Sequence, residues 1–242
     1  MVKMTNIKNN IDKIKAQIHH ACQQKDQLND FNEQSKVTLL AVSKTKPASE
    51  VEKAYHAGQY DFGENYLQEA LNKIKALDHL PLCWHFIGPI QSNKTKQIAT
   101  NFSWVHSVDR AKVAHRLNEH LSSDLSLSCH KTHNQDTLLN VCLQVNISDE
   151  ESKSGVSLND VFSLAETVNN CDKLVLRGVM AIPAKNAPVD VYKKMHALFL
   201  QLKALYPSVD TLSLGMSNDL DIAIQNGATM VRIGTAIFGN RT

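Results

Sequence analysis

The stretch Leu39–Pro47, LLAVSKTKP, runs four apolar residues into Ser43 and then sets Lys44 and Lys46 either side of Thr45. Turns after a strand are usually built from Gly, Asn or Asp. This strand ends in an amine. A solvated strand-end charge is one account of Lys44. The other is chemical: an amine drawn partly out of water has a lowered pKa, and its neutral form attacks an aldehyde. Lys46 reads as a solvated neighbour that only adds to the local field. Far along the chain, TLSLGMSND and MVRIGTAIFGN place Gly215, Ser217, Gly234 and Thr235 after two further strand-like runs. Glycines and hydroxyls at such ends let backbone N–H groups approach a phosphate closely, and a helix after Gly234 would point its positive end at it. The plainer account is that these glycines only make tight turns.

For these groups to act together, the fold must bring residue 44 beside residues 217 and 234. The apolar runs predict how. They are Val37–Val42, Tyr60–Gly63, Cys83–Gly88, Trp104–Val108, Leu138–Ile147, Leu174–Ile182, Thr211–Met216 and Met230–Gly234. Helical patterns separate them, among them Ala48–Ala57, Leu67–Leu77, Arg110–Leu121, Leu158–Val168, Val191–Leu205 and Asp219–Gln225. The strands are apolar throughout rather than alternating, which predicts a parallel sheet covered on both faces. Eight such units predict an α/β protein, a single (β/α)8 TIM barrel over residues 1–242, close to the usual length of about 250. An open doubly wound sheet is the alternative. Ile7, Ile11, Ile14, Ile18 and Cys22 recur at helical spacing and predict an extra N-terminal helix.

In a closed barrel the first strand neighbours the eighth, and active sites lie at the C-terminal strand ends. A phosphorylated ligand held by Ser217, Gly234 and Thr235 would then lie within reach of Lys44. The other strand ends offer Glu64 and Asn65, Ser107 and Asp109, Asn146, Met180 and Arg232, with His85 inside the third strand.

Composition excludes several classes. At 43% hydrophobic and 21% charged residues, the chain has material for a sizeable core. A formal net charge of +2 without a basic run predicts no nucleic-acid partner. No apolar stretch approaches the roughly 20 residues of a membrane span. The polar N-terminus has no signal-peptide pattern, so a cytoplasmic protein is expected. Five cysteines, an odd number without CxxC spacing, read as reduced thiols. Cys83, Cys142 and Cys171, in or beside apolar runs, read as small buried hydrophobes. The polar segment Ser122–Thr137 predicts a flexible loop, and its Cys129, His130 and His133 lack a zinc spacing, so no metal is expected.

AVSKTKP, FGENY, WHFIGPIQSNK, NISDEESKSGV, RGVMAIP, SLGMSNDLDIAI and MVRIGTAIFG, in this order, resemble the motifs of the YggS/PROSC family of pyridoxal phosphate homeostasis proteins. The similarity runs from about Asn6 to Gly239 and departs only in the longer Ser122–Thr137 loop. It implies an alanine racemase N-terminal domain-like barrel that binds pyridoxal 5′-phosphate (PLP). By its place in AVSKTKP, Lys44 would be the Schiff-base lysine. Arg232 would face the pyridine nitrogen, and Ser217, Gly234 and Thr235 would hold the phosphate. Asn65 would line the pocket, with Met180, His85 and Ser213 as further neighbours.

The same resemblance separates a carrier from an enzyme. Arginine is always charged and accepts no hydrogen bond, so Arg232 would keep the ring nitrogen unprotonated and weaken the electron sink. Racemases also use a second base, completed by a further domain and a partner subunit. This sequence ends at Thr242, and neither Tyr66 nor His85 is assigned as that base. The expected function is therefore to hold PLP and buffer or deliver it, with PLP-dependent apo-enzymes as recipients and a monomer as the expected state. The alternatives are a weak PLP-dependent racemase or lyase, and an aldolase-like barrel using Lys44 on a sugar phosphate.

Overall fold

A computed structural model of the protein describes residues 6–29, 36–122, 138–147 and 154–240. The expected loop after Ser122, with Cys129, His130 and His133, and the middle of NISDEESKSGV lie outside the described residues.

The chain opens with α1 (Ile7–Asn29) and then alternates strand and helix. The series is β1 (Thr38–Val42), α2 (Ala48–His56), β2 (Asp61–Glu64), α3 (Leu67–Ala76), β3 (Cys83–Phe86), α4 (Thr95–Asn101), β4 (Trp104–Val108), α5 (Ala111–Ser122) and β5 (Leu139–Gln144). It continues with α6 (Val161–Asn169), β6 (Leu174–Met180), α7 (Val189–Leu205), β7 (Thr211–Ser213), α8 (Leu220–Gln225), β8 (Met230–Ile233) and α9 (Thr235–Phe238). The eight strands form a closed, all-parallel barrel in chain order. The (β/α)8 architecture expected from the sequence is the observed one, and the open sheet is not.

Local chemistry sets the boundaries. Pro47 precedes α2 with φ of −69°, a value its ring imposes, and it has no N–H to leave unpaired. Glu50 lies in the first turn of α2 and Lys53 and His56 in the last, each complementing the helix dipole. Strand β7 is shorter than its apolar run suggested. Gly215 takes φ of +98°, where a Cβ would come within 2.6 Å of the Ala223 Cβ, and the chain turns there.

Closure rests on β1, which pairs with β2 on one side and β8 on the other. Leu40 lies opposite Arg232 and Ala41 opposite Ile233. This register carries Lys44, two residues past β1, to the chain that follows β8. Leu39, Ala41, Phe62, Trp84, Phe86, Val105 and Leu143 belong to a large apolar core with Val51, Ala54, Ala70, Leu117, Leu164 and Phe199 of the helices. Inside the barrel the composition differs: His85, His106, Ser213 and Arg232 are all buried.

The α1 stripe behaves as the spacing predicts, with Ile7, Ile11, Ile14, Ile18 and Cys22 all buried. The helix lies against α8, α9 and α2. The Asn10 side-chain amide donates to the Ile237 carbonyl at 2.9 Å. Lys46 is not solvated. It is buried, and its ammonium donates to the Asn240 carbonyl at 2.8 Å, tying the end of β1 to the chain beyond α9. Among the described residues no helix is long and apolar enough to cross a membrane.

Candidate functional site

A pocket of about 570 Å3 opens at the C-terminal end of the barrel. It is of a size that takes a small-molecule ligand. Lys44, Asn65, Ser217, Arg232, Gly234 and Thr235 all line it, together with apolar Val42, Ile87, Met180 and Ile182. The six residues singled out in the sequence therefore converge on one cavity, from strand ends one, two, seven and eight.

Lys44 stands at the end of β1, half-buried, in a turn held from behind. Thr45 takes a positive φ of 64°, and its N–H donates to the Glu69 carboxylate at 2.6 Å. The Ser43 hydroxyl donates to Glu64 Oε1 at 2.5 Å. The Lys73 ammonium donates to the Ser43 carbonyl at 2.6 Å, to Glu64 at 2.7 Å and to Glu69 at 2.6 Å. Three charges thus brace the two residues that flank Lys44. Burial raises the Glu64 carboxyl above its ordinary value, against the opposing pull of Lys73 and Ser43.

Asn65 follows β2 and meets Gly88 across the strand end. A Cβ on Gly88 would lie 2.0 Å from the Asn65 carbonyl oxygen, so only glycine allows this approach. The Asn65 side-chain oxygen is buried with no hydrogen-bond partner among the described residues. Such an atom on a pocket wall is suited to a polar ligand.

Arg232 is held rigidly. One terminal nitrogen donates to the Ser213 carbonyl at 2.8 Å and hydroxyl at 2.9 Å, and the other donates to the Ala181 carbonyl at 2.9 Å. All three acceptors are neutral. Burial pulls its pKa down to about 10, so it stays charged near neutral pH.

The segment Met216–Asp219 carries Ser217 to the rim. Asp219 accepts from the Met216 N–H at 2.7 Å and from the Tyr192 hydroxyl at 2.7 Å. On the next strand end, Gly234 and Thr235 open the short α9, whose first N–H groups have no carbonyl one turn before them. Donors, a lysine amine and an unpartnered amide oxygen around one cavity are a chemistry that fits a phosphorylated aldehyde.

Three further positions fall out differently. Met180 lines the pocket, and Ser213 acts through Arg232. His85 is not a neighbour of the pocket. It lies at the opposite, N-terminal end, 3.1 Å from Asp61, because β3 places its imidazole one turn of the pleat below the strand end. Tyr66 is 52% exposed and does not line the cavity. Lys73, Asp219, Tyr192 and Gly88 were not singled out in the sequence. The Glu69–Lys73 spacing of four and the Asp in GMSND were the available signals.

The model of the alanine racemase N-terminal domain family matches residues 2–242. A protein of Pseudomonas aeruginosa named pyridoxal phosphate homeostasis protein is 51% identical over 98% of this chain and 97% of its own. The solved structure of PipY from Synechococcus elongatus with PLP bound is similar with a TM-score of 0.78 and 29% identity, over 97% of this chain and 100% of that one. Alanine racemase of Corynebacterium glutamicum shares the fold at a TM-score of 0.62 and 15% identity, over 92% of this chain and 60% of its own.

Proposed function

This chain belongs to the alanine racemase N-terminal domain family, among its pyridoxal phosphate homeostasis proteins, and on that premise we propose that it binds PLP in the 570 Å3 pocket and holds it in reserve. The observation that carries the reading is the convergence of Lys44, Asn65, Ser217, Arg232, Gly234 and Thr235 on that one cavity. When bound, the group supplies an aldehyde and an electron-withdrawing ring.

The chain's own residues do the rest. Lys44 would be the amine that meets that aldehyde, in a turn fixed by Glu64, Glu69 and Lys73. Ser217 and Thr235 hydroxyls, with backbone N–H groups beside Gly234, would hold the phosphate. Asn65, whose side-chain oxygen has no partner among the described residues, would offer it to a ring substituent. Arg232, which has donors and no acceptor, would face the ring nitrogen and leave it unprotonated. That disfavours carbanion chemistry and supports a carrier over a catalyst. Of the bases considered, His85 lies at the other barrel end and Tyr66 off the cavity wall. The protein is read as a single cytoplasmic domain over residues 1–242, monomeric, passing its cofactor to PLP-dependent apo-enzymes. Its described cysteines, Cys22, Cys83, Cys142 and Cys171, are unbridged, which agrees with a reducing compartment.

The test is spectroscopic. The purified chain with added PLP is expected to show the visible absorbance of the bound aldehyde, and borohydride reduction followed by peptide mass spectrometry is expected to place the label on Lys44. Lys44→Ala should lose both. A label on another lysine, or turnover of D- or L-amino acids at an enzyme-like rate, overturns the reading.

A further inference from the structure

The N-terminal end of the barrel holds a cluster that the PLP site does not use. Asp61 opens β2 and lies opposite Cys83, the first residue of β3, while His85 follows two residues on and shares a strand face with it. His85 Nε2 lies 3.1 Å from Asp61 Oδ1 and 3.3 Å from Cys83 Sγ. The three potential ligand atoms all fall within 4.8 Å of one another. We propose that Asp61 Oδ1, Cys83 Sγ and His85 Nε2 form a binding site for one Zn2+ ion, with water from the adjoining cavity as the fourth ligand.

The donor set is one that zinc takes: a thiolate, an imidazole nitrogen and a carboxylate oxygen. At ordinary zinc bond lengths, tetrahedral ligands stand about 3.4 to 3.6 Å apart. The observed separations are shorter by about 0.3 Å, so an ion needs only a small spreading of side chains. One thiolate and one carboxylate neutralise the two positive charges, so no net charge is buried. A cavity of about 310 Å3 lies alongside, lined by Asp61 and His85 with Trp104, Arg177 and Asp210. It provides both the entry path and room for the water.

The imidazole is already positioned as a metal ligand needs. Its other nitrogen, Nδ1, lies 3.0 Å from His106 Nε2, the outer hydrogen bond that fixes the orientation of ligating histidines. Trp104 stacks on the ring at 5.3 Å with planes 12° apart, and the Arg177 guanidinium lies over Trp104 at 5.2 Å. The Cys83 thiol by itself is inert, pushed up to about 12 by burial and by Asp61. A cation in contact with the sulfur is what deprotonates it.

An ion on His85 Nε2 would also reset the hydrogen-bond chain behind it. Without an ion, Asp61 accepts the Nε2–H of His85. Nδ1 then accepts the Nε2–H of His106, leaving His106 Nδ1 buried with no hydrogen-bond partner among the described residues. With Zn2+ on His85 Nε2, the neutral ring carries its proton on Nδ1 and donates to His106 Nε2. His106 then holds its proton on Nδ1. Both imidazoles keep one proton each, and the thiol proton leaves to solvent with ion uptake.

The experiment titrates the full chain with Co2+, then with Zn2+ as competitor. One equivalent of Co2+ is expected, with a thiolate-to-cobalt charge-transfer band and the visible bands of a four-coordinate ion, both abolished by Zn2+. Cys83→Ser should lose the charge-transfer band. Asp61→Asn, at the open rim, should bind at least tenfold more weakly, and it serves if the cysteine variant fails to fold. His130→Ala/His133→Ala should keep the band. Histidine 15N spectra should show His106 changing tautomer when Zn2+ is added. Absence of the band in the wild type, its persistence in Cys83→Ser, or an unchanged His106 tautomer overturns the proposal.

Discussion

The Lys73 ammonium lies 2.7 Å from the buried carboxylate of Glu64, on the side of β1 and β2 away from the pocket, and the same ammonium holds the carbonyl of the residue before Lys44. A buried pair of this kind stabilises little relative to apolar residues, but removing one partner leaves a charge stranded. Lys73→Met is expected to cost about 3 kcal/mol near neutral pH. The cost should depend on pH. In the wild type Glu64 is already raised by burial, with Lys73 opposing. Without Lys73 the carboxyl rises further. A folded pKa above the unfolded one means that the folded chain binds the proton more tightly. Stability is then lost as pH climbs from the unfolded value of 4.5 towards the folded one, by up to about 1.4 kcal/mol per pH unit. Urea melts at pH 5 and pH 7 should show the deficit of Lys73→Met widening with pH.

Arg232 ties together the ends of three strands through Ser213 and Ala181. Arg232→Leu would take the guanidinium donor from the Ala181 carbonyl and the Ser213 hydroxyl, while the Ser213 carbonyl keeps the Ala181 N–H at 3.3 Å, and each unsatisfied group costs roughly 1–3 kcal/mol. A total near 3 kcal/mol is expected after relaxation, read as a lowered urea midpoint at unchanged slope. Arg232→Lys should recover only part of it, because an ammonium does not span the acceptors that the planar fork reaches. Equal stability of Arg232→Leu and wild type would show that water or neighbouring donors replace the guanidinium.

Gly88→Ala puts a methyl group 2.0 Å from the Asn65 carbonyl oxygen. The clash is with backbone, so it is relieved only by moving Asn65 or β3. The expected cost is about 1–3 kcal/mol, with weaker PLP uptake measured by absorbance titration. Gly63→Ala is the comparison. Its Cβ would meet only side-chain tips, Ile87 Cδ1 at 3.1 Å and Leu40 at 3.4 Å, and the smaller effect is expected there.

Asp219 restrains the Ser217 segment from within, through the Met216 N–H and the Tyr192 hydroxyl. Asp219→Ala releases both and is expected to weaken PLP binding about tenfold, the equivalent of one charge-assisted hydrogen bond. Tyr192→Phe releases one and should weaken it less. PLP titration against thermal melting separates this from general destabilisation: affinity should fall while the melting temperature moves little.

The fold was legible because the strand runs are mostly apolar, with His85, His106, Ser213 and Arg232 as exceptions inside the barrel, and eight of them alternate with helical patterns. The site was legible because its residues sit at strand ends, where a barrel gathers them. What escaped has a common cause. Lysine normally reads as a solvent-facing charge, yet Lys46 and Lys73 are buried, one on the Asn240 carbonyl and the other on two carboxylates. The Lys46 partner lies 194 residues away, which no local pattern reveals, whereas Glu69 lies one helical turn before Lys73 and was the local signal there. His85 was placed near the wrong end, since alternation along a four-residue strand gives a side and not a height. Asp219 sits in plain view in GMSND, but its bonds run to Tyr192 in a different helix.

The pairing of β1 with β8 also has a temporal consequence. Lys44 leaves the ribosome nearly two hundred residues before Gly234 and Thr235, and the pocket lacks the wall that Arg232, Gly234 and Thr235 supply until the last strand docks beside the first. A nascent chain therefore carries Lys44 long before the cavity that it lines is complete. The cavity is a property of the closed ring, so binding in it is expected only of the finished molecule.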